Sequence, residues 1–270
     1  MVSTIISHKP TRLFLILGGF FIANTLLAEI MGVKLFSLEK TIGTQPLNLR
    51  ILGNSFSFNL TAGVLLWPIV FVMTDIINEY YGRKGVRFLS FLTIGLIAYA
   101  FIMLSGAIRL YPADFWNHNY FPGVPDSNKA YEGIFGQSQA IIIASLVAFL
   151  IGQLLDVFIF HRIKKVTGEK MIWLRATGST LVSQLVDSFV VLFLAFYFLP
   201  KIMGNATPWT FGLVMTVCIG NYIYKFIVAL LMTPVIYLVH GVIERYLGKD
   251  LSMQMKQAAM NRQTANDKEL

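Results

Sequence analysis

Apolar residues run along this chain in six long blocks, each broken by a few polar side chains. The blocks cover roughly 12–36, 60–81, 86–108, 138–161, 176–199 and 211–246. At a helical rise of about 1.5 Å per residue, each can cross a hydrocarbon core of about 30 Å. The pattern predicts an all-α polytopic membrane protein with six transmembrane helices. Between the first two blocks, Leu47, Leu49 and Ile51 alternate with polar residues. Leu52-Gly53-Asn54 follows, and Phe56, Phe58 and Leu60 then alternate again. This predicts a short extracytoplasmic β-hairpin. Pro68 and Thr233-Pro234 predict kinks, and the last block is over-long for a bilayer. The polar stretch after Leu251 predicts a frayed or disordered tail. The expected layout is one transmembrane domain over 1–250 and a polar cytoplasmic tail over 251–270.

One block departs most from lipid-facing composition. The stretch WLRATGSTLVSQLVDSF, residues 173–189, carries Arg175, Thr177, Ser179, Thr180, Ser183, Gln184, Asp187 and Ser188. Ser183, Gln184, Asp187 and Ser188 follow i, i+1, i+4, i+5 spacing and share one helical face. Hydrogen bonding to neighbouring helices explains some of these groups, with Ser179 and Ser183 as small contact residues. Asp187 asks for more, because a carboxylate near mid-membrane is costly and marks a functional site.

Other blocks carry similar groups. Asp75, Asn78 and Glu79 share a face at the end of the second block, beside a basic turn. Hydration at the membrane surface, or pairing of Glu79 with Arg83, is the plainer account of them. Gln153 and Asp156 stand at i, i+3 in the fourth block, as Gln184 and Asp187 do in the fifth. Asn24 and Glu29 lie in the first block, and Asn221 and Lys225 stand at i, i+4 in the sixth. Asp187 and Lys225 fall at similar depth, so they can pair across the last two helices. A paired buried charge is far cheaper than a lone one. Asp75, Asn78, Glu79, Gln153 and Asp156 fall lower. The set predicts a central polar cavity with an acidic inner mouth.

Composition agrees with the membrane reading. Of 270 residues, 56% are hydrophobic and 13% charged, and mean hydropathy is +0.65. No loop is long enough to bury a soluble core. The net charge of +8 reflects topology rather than nucleic-acid binding. Lys9, Arg12, Arg83, Lys84, Arg87, Arg162, Lys164, Lys165, Lys170 and Arg175 fall on one side, against Lys40, Arg50, Arg109, Lys129 and Lys201 on the other. That asymmetry places both termini in the cytoplasm. Leu13–Phe36 is too long for a signal-peptide core. The single cysteine, Cys218, excludes an intrachain disulfide or zinc cluster. His118, in the aromatic loop 109–137, has no second ligand at metal spacing. No nucleophile–base constellation or phosphate-binding glycine loop is present, so an enzyme is not expected and no cofactor is implied.

An asymmetric polar set at the midplane suits a solute carrier rather than a symmetric channel. Carboxylates and carboxamides, with aromatics nearby, match a small cationic or N–H-rich solute. A divalent cation held by Asp75, Glu79, Asp156 and Asp187 is the alternative, and Lys225 and the amides argue against it.

Four segments carry a specific resemblance. TDIINEYYG (74–82), GQLLDVFIFHRIK (152–164), WLRATGSTLVSQLVDSF (173–189) and NYIYKFIVALLMTP (221–234) closely resemble the bacterial queuosine precursor transporter family, also described as a vitamin-uptake-type family. The likeness runs from about Leu13 to Leu247. It implies a six-helix inner-membrane carrier importing 7-cyano- and 7-aminomethyl-7-deazaguanine for tRNA queuosine synthesis. It also implies a fold similar to energy-coupling-factor substrate-binding subunits. The positions on the family's motifs are Asp75, Asn78, Glu79, Gln153, Asp156, Arg175, Ser179, Thr180, Gln184, Asp187, Ser188 and Lys225. The expected partners are the deazaguanine and the lipid bilayer, with no nucleic acid; the sequence leaves a homodimer open. Asp187 or Glu79 is expected to hold the guanine-like edge, with Gln184 or Gln153 beside it. Another small heterocycle remains an alternative cargo.

Overall fold

The computed structural model describes residues 7–47, 49–51, 53–117, 120–136, 139–168, 171–203 and 207–266; His118 lies outside them. Helix α1 (Lys9–Met31) is followed by strand β1 (Leu35–Ser37) and a turn of helix, α2 (Leu38–Thr41). Strands β2 (Leu49–Ile51), β3 (Asn54–Phe56) and β4 (Asn59–Thr61) come next, then a 3-10 turn over Ala62–Leu65. Helix α3 (Trp67–Ile108) leads into the short helices α4 (Asp114–Asn117) and α5 (Ser127–Phe135). Helix α6 (Gln139–Thr167) precedes α7 (Ile172–Phe193), which passes through a π-helical turn, Leu194–Phe198, into α8 (Leu199–Met203). Helices α9 (Phe211–Leu247) and α10 (Lys249–Asn266) complete the order.

Five helices among the described residues are long and apolar enough to cross a membrane. Large apolar side chains such as Phe20, Phe88, Ile102, Leu231 and Leu238 face outward, while Arg175, Lys164 and Glu79 are buried. Polar groups inside and apolar groups outside are the arrangement a lipid solvent demands. This is a multi-pass, all-α membrane protein.

The second and third apolar blocks form one element, α3, of 42 residues. A straight helix of that length would span about 63 Å, twice a bilayer core. It is not straight, because Gly82 takes φ 68°, ψ −171°, a region essentially reserved for glycine. Contacts with α1 give the direction of each half. Gly63, just before α3, meets the Ala28 carbonyl. Tyr81 donates its hydroxyl to the Pro10 carbonyl at 2.7 Å, and Leu89 packs on Gly18. The chain therefore runs back along α1 from 63 to 81 and forward along it from 82 to 89. Gly85 tightens the turn, since a β-carbon there would lie 2.7 Å from Tyr81 Cβ. Pro68 stands in the first turn of α3, where its missing N–H costs nothing; it starts this helix rather than kinking its interior. Helix α9 continues through Pro234.

The strand region differs from one long hairpin. Strand β2 pairs antiparallel with β3, with Leu49 opposite Phe56. Strand β4 pairs with β1 instead, with Leu60 opposite Phe36. The alternation through Phe58 and Leu60 thus reports a second two-stranded ladder that ties the start of α3 to the end of α1. Glu39 joins the two parts. Its Oε1 accepts the Phe58 backbone N–H at 2.7 Å, and Oε2 accepts the Ser37 hydroxyl at 3.1 Å.

Helices α6 and α7 pack more extensively than any other pair of described elements. Both extend further into the basic 161–175 segment than their apolar blocks suggest. Two residues counted toward topology, Lys164 and Arg175, are buried helix residues as a result, and so is His161. The tail expected to fray forms α10, which packs on α3 and α9 and buries Ser252, Lys256 and Ala259.

Candidate functional site

Helices α3, α7 and α9 surround a mostly apolar cavity. Trp67, Phe71 and Tyr224 give it aromatic walls, and Val72, Val228, Met232 and Ile236 give aliphatic ones. Four polar residues converge on it: Asp75, Thr177, Thr180 and Lys225. Each arrives from helical spacing. Trp67, Phe71 and Asp75 are successive i+4 positions of α3, Thr177 and Thr180 are i, i+3 of α7, and Tyr224, Val228 and Met232 are i+4 positions of α9.

The charges behind this cavity fall into separate groups. Lys225 Nζ lies 2.5 Å from Asp187 Oδ2, and both side chains keep some exposure. Asp187 also lies beside Gly152 of α6, where a β-carbon would sit 3.5 Å from the Asp187 Cβ, an ordinary contact. Deeper, Glu79 holds two cations: Arg175 Nη2 lies 2.7 Å from Oε1, and Lys164 Nζ lies 3.1 Å from Oε2. Arg175 Nη1 also donates to the Gly168 carbonyl at 2.7 Å. All three side chains are almost fully buried. Asp156 accepts from Ser183 at 3.2 Å and from Thr180 at 3.5 Å.

Several buried polar atoms have no hydrogen-bond partner among the described residues. They include Asp75 Oδ1, both amide atoms of Asn78, Gln184 Oε1 and Ser188 Oγ. Such an atom costs about 1–3 kcal/mol, and of those named Asp75 is the one that lines the cavity.

Residues 61–239 match the family described as "Putative vitamin uptake transporter". A "Probable queuosine precursor transporter" of Bacillus subtilis is 32% identical over 196 residues, covering 70% of this chain and 76% of that protein. The chain belongs to this transporter family. A second "Probable queuosine precursor transporter", from Haemophilus influenzae, is 29% identical over 74% of this chain and 78% of its own length. The "Queuosine precursor transporter" of Escherichia coli is 26% identical over 72% and 77%. No solved structure matches the chain. The family is one of transporters, not enzymes.

The structure brings only part of the expected set together. Asp75, Thr180 and Lys225 line the cavity, with Asp187 and Asp156 directly behind them. Glu79 and Arg175 satisfy each other in the deeper ion cluster. Gln153 accepts from Thr74 at 3.3 Å. Ser179 donates to the Ala176 carbonyl of its own helix. Asn24 and Asn221 turn back on the carbonyls of Phe20 and Val217, and Asn221 lines a second cavity with Phe58 and Thr216. The acidic groups do not gather as a metal site: no three His, Cys, Asp or Glu side chains among the described residues could hold one ion.

Sequence reasoning missed Lys164, which it counted as a surface charge. A signal was present, because Gln153, Asp156, Phe160 and Lys164 follow i, i+3, i+7, i+11 on one face of α6. It also passed over Trp67, Phe71 and Tyr224, which look like ordinary apolar-block residues until three helices converge.

Proposed function

We propose that this chain imports queuosine precursors, 7-cyano-7-deazaguanine and 7-aminomethyl-7-deazaguanine, across the bacterial inner membrane. Six crossings with both termini cytoplasmic fit the reversal at Gly82 and the basic bias of one side. The observation that carries the cargo is Asp75. Its carboxylate has an unpartnered oxygen and lies on the wall of a cavity lined by Trp67, Phe71 and Tyr224. A deazaguanine offers a ring N–H and an exocyclic amine side by side, which suits one carboxylate, and a flat face that suits aromatic walls. Lys225, on the same wall, can donate to the ring carbonyl. The relatives' names supply the cargo class. Asp75 replaces Glu79 as the carboxylate of choice because Glu79 already holds two cations. Asp187 acts through Lys225.

The test is queuosine in the tRNA of cells that cannot make the precursor and lack their own importer. Those cells express this chain or its Asp75→Asn variant at matched membrane abundance, with limiting precursor supplied. Queuosine restored by the wild type and reduced at least tenfold by Asp75→Asn is the expected result, since a charged hydrogen bond contributes about 1.5–3 kcal/mol. No restoration by abundant wild-type protein rejects the cargo, and another planar N–H-rich heterocycle then becomes the reading to screen.

A further inference from the structure

Lys225 gives the cavity a positive charge of the protein's own. It lines the cavity, and its Nζ lies 2.5 Å from Oδ2 of Asp187, which stands behind the wall. Among the described residues, Asp75 is the only carboxylate on that wall, and the ring N–H and amine of a deazaguanine take it. The other acidic groups nearby are engaged elsewhere. Glu79 lies between Arg175 and Lys164. Asp156 stands behind Thr180 and accepts from Thr180 and Ser183. Glu29 of α1, beside Asp187, is bonded to Ser145 of α6 at 2.6 and 2.7 Å. None of these three lines the cavity.

The second cavity offers no counter-ion either. It lies between β4 and the first turns of α9. Its polar lining is Ser57, Asn59, Thr216 and Asn221, and no charged residue lines it. Asn221 and Lys225 stand at i, i+4 on α9. Leu60 and Val64 stand four residues apart where β4 leads towards α3. Two segments therefore border both cavities. A solute passing from the strand side towards Asp75 meets neutral amides and hydroxyls first, and the Lys225 ammonium next.

We infer that Lys225 selects against a positively charged cargo, so that the chain carries the 7-cyano ring in preference to the 7-aminomethyl ring. The inference rests on the transport reading above and names which of its two precursors the site favours. A primary alkylamine is protonated at neutral pH, as a lysine side chain is, whereas the nitrile is uncharged. Inside the cavity the cargo's ammonium meets Lys225 where little water screens the repulsion. Asp75 is already taken by the guanine-like edge, and reaching Asp187 means displacing Lys225. The faces of Trp67, Phe71 and Tyr224 attract cations, but the flat ring of the cargo covers them. Leaving the wrong cargo's charge unpaired is a general route to specificity. Lys225 thus decides between cargos, beyond any hydrogen bond to the ring carbonyl that both precursors share.

Uptake by proteoliposomes of the purified full chain tests this with three radiolabelled solutes. They are 7-cyano-7-deazaguanine, its 7-aminomethyl counterpart, and 7-deazaguanine itself, which carries neither group. The readout is the ratio of kcat/KM for the nitrile to that for the amine, in which losses common to the ring cancel. The wild type should favour the nitrile by about tenfold or more, because like charges brought together suppress the wrong partner. Lys225→Arg keeps the charge and should keep the ratio. Lys225→Met should bring the ratio to unity or below, since Asp187 is then open to the cargo's ammonium. Where a bare Asp187 prevents folding of that variant, Asp187→Asn/Lys225→Met removes both charges and should still lower the ratio. A wild-type ratio near unity, or one that both Lys225→Met variants leave unchanged, overturns the inference, while uptake of the nitrile keeps the transport reading. No uptake of any of the three solutes rejects that reading and the inference with it.

Discussion

Arg175 reaches across from α7 to place Nη2 2.7 Å from Glu79 Oε1 of α3, with both side chains closed off from solvent. This contact sets the depth at which two helices meet below the cavity. A buried ion pair adds little net stability, yet breaking it is severe because a bare charge is left behind. Glu79→Gln removes the carboxylate that two buried cations share, Arg175 and Lys164. Arg175→Gln leaves Glu79 with Lys164 still 3.1 Å away. The expected order of damage is therefore Glu79→Gln above Arg175→Gln, with Lys164→Gln mildest. The first should cost about 3–5 kcal/mol. Thermal melting of the detergent-solubilised protein checks the order, and equal melting of all three with wild type would remove the cluster from any structural role.

Asp187 and Lys225 call for a different expectation, because their pair borders the cavity and keeps some exposure. Removing one partner leaves the other charged at the wall where substrate sits. The double variant Asp187→Asn/Lys225→Met removes both charges together. It should transport no worse than the poorer single variant, with a coupling energy of about 0.5–3 kcal/mol. Strict additivity of the two losses in uptake would show that the residues act separately on the substrate.

The all-α polytopic character and the common depth that lets Asp187 meet Lys225 were legible in the sequence, because each depends on short-range periodicity and position within a block. Charge bookkeeping was not. Lys164 and Arg175 look like topology signals when read linearly, since positive residues beside an apolar block ordinarily sit at the interface. They become buried counter-ions only because α6 and α7 extend into the connector. The aromatic wall was illegible for a related reason: Trp67, Phe71 and Tyr224 belong to two distant segments whose meeting is tertiary. Asn24 and Asn221 were over-read, because a polar side chain in an apolar helix can satisfy itself on the carbonyl four residues back.

Gly82 should tolerate no side chain. Its backbone lies where an L-residue is strained by about 1–3 kcal/mol, and the turn it makes holds Tyr81 on the Pro10 carbonyl. Gly82→Ala is expected to lower the melting temperature more than Gly19→Ala, since Gly19 has open space beside it and lies within α1. Equal melting of the two variants would mean that the reversal does not depend on this conformation.

Acid should loosen the outer strands before the helices. Burial alone would push the Glu39 carboxyl up. The N–H groups of Phe58, Glu39 and Leu47 and the Ser37 hydroxyl outweigh it and hold the carboxyl below the ordinary glutamate value of 4.5. A carboxyl lowered on folding stabilises the fold fully above its unfolded pKa. That contribution fades as pH falls below 4.5 through the folded value. Amide exchange at Phe58, corrected for its intrinsic pH dependence, should therefore lose protection below pH 4.5. Glu39→Gln should show the loss at neutral pH. Protection independent of both would detach Glu39 from the loop.

The C-terminal helix gives the last contrast. Lys256 lies 2.7 Å from Glu244 and sits over the Tyr80 ring at 5.4 Å. Tyr80, next to Glu79 along the chain, in turn meets His240. Helix α10 thus braces the inner end of α3 from outside the bundle. The ion pair contributes little, because Glu244 is 43% exposed and stays hydrated when Lys256 is removed. Apolar contact contributes more, through Leu251, Met255 and Ala259. Lys256→Met keeps the stem and should melt within about 1 kcal/mol of wild type. Truncation after Gly248 removes the whole face and should cost about 2–3 kcal/mol. It should also raise amide exchange around residues 78–82 while leaving the α6–α7 contact protected. The reverse ranking, with Lys256→Met worse than truncation, would mean that charge rather than packing holds α10 in place.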